Sequence, residues 1–248
     1  MVLGLPASIS ACLFDMDGVL TETATVHAAA WKEMFDAYLR ARADRMGGPF
    51  VPFDSVKDYD EYVDGKARAD GTRSFLASRG IVLSEGDADD PPDRETVRGL
   101  GNRKNELVLR LLRERGVTVY PDSLRYLHAV GAAGLRRAVV SASANTHHIL
   151  QAASIGEEFD ICIDGIVAEQ EHLQGKPAPD TYLAAARKLE VAPAQAAVFE
   201  DALAGVEAGR AGAFGFVVGV DRVGQRDALL AHGANIVVND LTELLDRP

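Results

Sequence analysis

The stretch Ser10-Ala11-Cys12-Leu13-Phe14-Asp15-Met16-Asp17-Gly18-Val19-Leu20-Thr21 opens on a continuous apolar run and then delivers two carboxylates, two residues apart, onto a segment broken by a glycine. A run that does not alternate with polar residues suits a strand buried on both faces of a parallel sheet. The same arrangement recurs along the chain. Arg137–Val140 ends at Ser141, Ala196–Phe199 at Glu200-Asp201, Phe214–Val220 at Asp221, and Asn235–Val238 at Asn239-Asp240. Helical patterns follow these runs, so the sequence predicts an α/β fold: a doubly wound, Rossmann-like parallel sheet with helices on both faces. Such sheets bind ligands beyond the carboxyl ends of their strands. Here those ends carry Asp15, Ser141, Glu200 and Asp201.

Between Thr23 and Asn105 the alternation stops. His27–Arg42 places Trp31, Met34, Phe35, Tyr38 and Leu39 at helical spacing, the pattern of a packed helix face. Gly47–Tyr62, rich in Gly, Pro and Asp, and Glu85–Asp93, with Pro91-Pro92, read as loops. A long helix is expected from Arg103 to Arg115. The expected division is a catalytic α/β core of residues 1–22 plus 106–248, with an all-helical domain, 23–105, inserted after the first strand. The sheet is expected to resume near Tyr120-Pro121-Asp122.

Of the 248 residues, 47% are hydrophobic and 25% charged, and the net charge is −11. That is enough apolar material for a full core. The acidic balance argues against nucleic acid and anionic membranes as partners, though a few local cations suffice to hold one small phosphorylated ligand. Two cysteines, Cys12 and Cys162, lie in apolar, strand-like stretches. They are too few and too widely spaced for a disulfide framework or a Cys-based metal site, and fit a reducing cytoplasm. The apolar residues before Asp15 have no basic flank, so a signal peptide is not expected. Nor does any stretch reach the length of a membrane span.

Four motifs carry the chemistry. In Asp15-Met16-Asp17, one carboxylate can attack phosphorus and the other can move a proton to and from the oxygen that leaves or enters; the same residues also suit an acidic cation-binding turn. In Ser141-Ala142-Ser143-Ala144-Asn145, hydroxyls and backbone N–H groups before a helix can cradle a phosphate or merely cap that helix. Lys176, in Gly175-Lys176-Pro177, is a positive charge on a proline-stiffened loop, able to offset a carboxylate–phosphate cluster. Glu200 and Asp201, side by side after a buried strand, are costly to place together unless a cation lies between them. Magnesium, which takes oxygen ligands and neutralises phosphoryl charge, is the expected ion. The other histidines, His128, His147, His148, His172 and His232, are read as surface or structural.

Together and in this order, the four motifs resemble those of the haloacid dehalogenase superfamily, and within it the β-phosphoglucomutase-like branch, over nearly the whole chain. The inserted domain resembles that family's helical cap. The resemblance implies that Asp15 is the nucleophile and Asp17 the acid/base. It implies one magnesium per chain, held by the Asp15 carboxylate, the Asp17 carbonyl and Asp201 with Glu200 beside them. Ser141, Ala142 and Lys176 would hold the transferring phosphoryl group, and the Lys176–Pro177 bond would be cis. Thr23, His27 and Trp31 follow the first motif at the branch's spacing. Asp64-Gly65-Lys66-Ala67-Arg68 resembles the branch's phosphate-gripping loop. These make Arg68 the distal phosphate anchor, with Ser143 and Asn145 opposite and Lys104, His27 and Trp31 near the substrate. Ala144 departs from the pattern, standing where the branch carries a lysine.

The implied activity is conversion of β-glucose 1-phosphate to glucose 6-phosphate through an aspartyl phosphate. Glucose 1,6-bisphosphate would be the intermediate and activator, and the enzyme a cytoplasmic monomer or weak dimer. A sugar-phosphate phosphatase uses the same four motifs and is the second reading. A non-catalytic phosphate-binding module is the third, and the complete set Asp15, Asp17, Lys176 and Asp201 argues against it.

Overall fold

A computed structural model describes residues 3–245 of the chain, so the outermost residues of the expected core, 1–2 and 246–248, lie outside the described residues. The chain forms two compact units, one interrupted after Glu22 and resuming at Val117, the other Thr23–Gly116.

The first unit is built on a parallel sheet. Its strands are β1 (Ala11–Phe14), β2 (Arg136–Val140), β3 (Ile161–Ile163), β4 (Ala196–Glu200), β5 (Phe216–Val220) and β6 (Ile236–Val238). They lie in the order β3-β2-β1-β4-β5-β6. The order reverses between β1 and β4, which is where a doubly wound sheet opens a crevice at its carboxyl edge. The register aligns Phe14 with Val139 on one side and Phe199 on the other, so Asp15, Ser141 and Glu200 emerge at nearly the same level.

Side-chain alternation along β1 shows why the run is apolar throughout. Ala11 and Leu13 join a core with Val140, Val198, Val217 and Val237, packed with α7 (Asp180–Lys188), α8 (Leu203–Ala211) and α9 (Arg226–His232). Phe14, on the opposite face, stacks on Phe199 with ring centroids 4.5 Å apart and meets Tyr126 edge-on at 6.4 Å. Tyr126 comes from α4 (Pro121–Ala132). Two faces are covered, so neither tolerates polar residues.

The sheet differs from expectation in two places. No strand forms at Tyr120-Pro121-Asp122; Pro121 starts α4, because a proline without an N–H is well suited to a helix's first turn. Sheet-like pairing there is limited to an isolated bridge between Thr21 and Val119. β3 was read only as the apolar, strand-like stretch around Cys162 and was not counted among the strands of the sheet. At three residues on the sheet edge, it is too short to give a periodic signal.

The second unit holds α1 (Ala24–Met46), a π-helical turn (Tyr59–Val63), α2 (Arg68–Ser78) and α3 (Val97–Arg115). Its described residues include helices and no strand. An aromatic core fills it: Phe35 lies 4.1 Å from Phe75 and 5.2 Å from Trp31 between centroids. Helix α3 begins six residues before the expected Arg103, because the Thr96 hydroxyl accepts the Gly99 N–H at 2.9 Å and donates to Asp90 Oδ2 at 2.6 Å. That cap satisfies a donor the first turn would otherwise leave open. The same helix runs unbroken through residue 105 to Arg115, so the compact unit closes at Gly116 rather than at 105.

Candidate active site

Asp15 continues the β1–β4 ladder by one bond, its N–H donating to Phe199 O at 2.9 Å. This fixes its carboxylate at the sheet's crevice. Lys176 reaches the same point from another loop: Nζ pairs with Asp15 Oδ1, lies 2.6 Å from Glu200 Oε1, and donates to Val140 O at 3.3 Å. The Lys176–Pro177 bond is cis. Tyr182, on α7, donates its hydroxyl to Glu200 Oε1 at 2.8 Å, and its ring underlies the ammonium at 5.0 Å.

Two glycines make room for the acids. Gly18 has φ +87°, and a Cβ there would lie 1.7 Å from Asp201 Oδ2. At Gly205, in α8, a Cβ would meet Glu200 Oε1 at 1.7 Å. Neither position admits a side chain without displacing a carboxylate.

Asp15, Glu200 and Asp201 are all buried, and one oxygen from each falls within 4.8 Å of the others. Burial pushes the Asp15 carboxyl well above its usual range, and Glu200 and Asp17 add to this against the pull of Lys176. For Lys176 the balance is opposite: burial would lower it, but Asp15 and Glu200 hold it firmly protonated. One ammonium therefore serves several converging carboxylates, and the excess of negative charge in a desolvated space fits a hard divalent cation. The all-oxygen donor set fits magnesium.

Asp17 is half-buried; its Oδ2 lies 3.4 Å from Ser141 Oγ. Ser141 Oγ also accepts the Ser143 N–H at 3.1 Å, and Ser143 Oγ accepts the Asn145 N–H at 3.1 Å. These serines curl the loop through Ala142 towards α5 (Thr146–Ala152). Ala144 is exposed. The structure thus brings Asp15, Asp17, Ser141, Lys176, Glu200 and Asp201 to one edge of one sheet.

Some residues of this site were missed in the sequence. Arg222 donates through Nε to Gly18 O at 3.2 Å and through a terminal nitrogen to Asp122 Oδ2 at 3.0 Å, bracing the Asp17–Gly18 turn from behind. Asp221 accepts four backbone N–H groups, from Val223, Gly224, Gln225 and Arg226, at 2.6–3.2 Å. Gln225 in turn donates to Asp201 O at 2.9 Å. The signal was available: Asp221-Arg222 closes β5 as Asp15 closes β1. Nothing in the spacing shows which loop they brace.

The remaining predicted residues form a group in the second unit. Lys104, buried on α3, lies 2.8 Å from His27 Nδ1 and 4.7 Å from the Trp31 ring centre, both on α1. Arg68, at the start of α2, lies along Gly101, where a Cβ would come 3.3 Å from its Cγ.

The sequence matches the family described as haloacid dehalogenase-like hydrolase across residues 9–212, the span from β1 to the end of α8. The chain belongs to that family. Among its relatives, a β-phosphoglucomutase of Mycobacterium tuberculosis is 57% identical over 98% of this chain and 94% of its own length. A β-phosphoglucomutase of Clostridium difficile is similar in structure, with a TM-score of 0.74 at 27% identity, covering 95% of this chain and 93% of that one. A fructose-1-phosphate phosphatase of Escherichia coli is 28% identical over 80% of this chain and 90% of its own length. As a haloacid dehalogenase-like protein, the chain is a phosphosugar mutase or phosphatase by kind. Among the described residues, no helix is long and apolar enough to cross a membrane.

Proposed function

We propose that this chain interconverts β-glucose 1-phosphate and glucose 6-phosphate through an aspartyl phosphate. The observation that carries the choice of mutase is the 57% identity, over nearly the full length, to a β-phosphoglucomutase. Asp15 attacks phosphorus and the phosphoryl group passes to its carboxylate as the sugar oxygen departs. Asp17, beside Ser141, gives that oxygen a proton and later removes one from the accepting hydroxyl. Lys176 and Ser141, with the Ala142 segment, hold the phosphoryl oxygens; the buried ammonium meets the charge that develops there. Magnesium, held by the Asp15 carboxylate, the Asp17 carbonyl and Asp201 with Glu200 nearby, would supply further neutralisation of that charge.

Arg68, with Ser143 and Asn145, takes the second phosphate of the bisphosphate intermediate, while His27, Trp31 and Lys104 contact the sugar. Glucose 1,6-bisphosphate is then also the activator, since it charges Asp15. Free rather than paired cysteines suit a cytoplasmic enzyme, working as a monomer or weak dimer.

The second reading is a phosphatase, in which water takes the phosphoryl group from Asp15. Ala144, in place of the branch's lysine, and the similarity to a fructose-1-phosphate phosphatase support it. The deciding test incubates the protein with β-glucose 1-phosphate, magnesium and a trace of glucose 1,6-bisphosphate, and quantifies products. Glucose 6-phosphate in excess over free phosphate is the expected result. Free phosphate with no glucose 6-phosphate would establish the phosphatase instead.

A further inference from the structure

Away from the catalytic edge, the first unit brings a histidine, a thiol and a carboxylate together. Cys162 lies in β3 and Asp164 follows it by two residues with extended backbone, so both side chains leave the same face. β3 is the outer strand of the sheet, and Cys162 on it is half-buried rather than sealed in the core. His147, exposed in the first turn of α5, completes the group, with Nε2 3.9 Å from Asp164 Oδ2. One donor atom from each of the three residues falls within 4.8 Å of the others.

Asp164 is anchored before any ligand arrives. It is 1% exposed, and its Oδ1 accepts the N–H groups of Ile166 and Val167 at 3.0 and 2.8 Å, capping α6 (Gly165–Gln170). Its Oδ2 is thereby held towards His147, at a separation too long for a hydrogen bond. In a tetrahedral site with bonds of about 2.0–2.3 Å, neighbouring donors stand about 3.4–3.6 Å apart. The donors, all within 4.8 Å of one another, must draw somewhat closer to share a metal, and the exposed imidazole can turn about its own side-chain bonds to do so.

We propose that His147, Cys162 and Asp164 form a second metal site, selective for a borderline-soft divalent cation such as zinc, with its fourth position open to water. The mixed nitrogen–sulfur–oxygen set separates it chemically from the all-oxygen group at Asp15, Glu200 and Asp201, which favours magnesium. On binding, Cys162 gives up its thiol proton to solvent and the sulfur bonds to the metal. The site sits behind the phosphoryl loop: Gly165 N–H, next to Asp164, donates to Ser143 O at 3.1 Å, and His147 follows Asn145 by two residues. A bound metal therefore pins α5 to β3 and stiffens the frame of Ser141–Asn145. This assignment does not depend on which reaction Asp15 performs.

The test uses the intact protein, stripped with chelator and supplied with excess magnesium to satisfy the oxygen site. Cobalt(II) is then titrated as the spectroscopic probe and zinc as its competitor. The expected result is one equivalent of cobalt with a thiolate-to-metal charge-transfer band in the near ultraviolet, bleached by zinc. Cys162→Ser should abolish the band. His147→Ala, a substitution at an exposed position that leaves the core untouched, should weaken zinc binding by roughly tenfold or more, since losing even an outer partner of a ligand costs that much. Cobalt binding without a charge-transfer band, or zinc affinity unchanged in His147→Ala, would overturn the assignment.

Discussion

Lys176 ties the site together by compensating charge. It stands against Asp15 and Glu200, both buried, with the Tyr182 hydroxyl and the Ala202 N–H also donating to Glu200. Breaking a buried ion pair by removing one partner costs about 3–5 kcal/mol, because the other charge is left desolvated. Lys176→Ala should therefore lower unfolding stability by about that amount in urea titrations, and reduce turnover by roughly 10²–10³-fold as the phosphoryl oxygens lose their cation. Unchanged stability would mean that Asp15 and Glu200 do not depend on the ammonium. Asp17 makes a different prediction. If it protonates the departing oxygen, Asp17→Asn should slow hydrolysis of a phosphate ester with a poor leaving group far more than that of p-nitrophenyl phosphate. Equal losses for both esters would assign Asp17 to geometry or metal binding alone.

The strand ends do most of the positioning, and one of them does so by holding its own loop in shape. The loop after β5 is organised by Asp221, whose carboxylate collects four backbone N–H groups. Burial would raise this carboxyl, but those donors prevail and hold it below the usual range. A lowered folded-state value means the stabilisation is complete above the unfolded carboxyl's pKa, about 3.9, and is lost as pH falls through the folded value. Asp221→Ala should cost about 1–3 kcal/mol at neutral pH, the penalty for stranded donors. The gap between wild type and variant should narrow as the pH drops below about 4. A gap independent of pH would mean that the loop is organised by something other than this charge. Sequence alone made the central strands legible, because burial on both faces leaves apolar runs in β1, β4 and β5 and over the last three residues of β2. It left β3, which has three residues, as no more than a strand-like stretch around Cys162, and mistook the proline-led start of α4 for a strand. It also set the early end of α3 too late, since Thr96 and Asp90 act together six residues apart, a contact that periodicity does not reveal.

Taken whole, the molecule joins a sheet that gathers reactive groups with an inserted helical unit that carries further polar ones. The carboxylates and Ser141 were legible because they follow apolar strand runs, and parallel topology sends every such end to one edge, whereas Lys176 was read from its proline-stiffened loop. The bracing by Arg222, Asp221, Gly18 and Gly205 was not legible, because it depends on which loops meet in space. Arg68 lies in the inserted unit, and its proposed duty is the second phosphate of a bisphosphate. A charge-assisted hydrogen bond contributes about 1.5–3 kcal/mol, so Arg68→Ala should depress mutase turnover by roughly ten- to a hundredfold. Hydrolysis of p-nitrophenyl phosphate, which has no second phosphate, should change little; a parallel loss of both would indicate a folding role for Arg68. The central claim is that Asp15 carries the phosphoryl group. It is tested most directly by charging the protein with glucose 1,6-bisphosphate and magnesium, quenching in acid, and mapping the modified peptide by mass. One phosphoryl group on the peptide containing Asp15, absent in Asp15→Asn, is the predicted result; label on another residue, or label retained by Asp15→Asn, would contradict it.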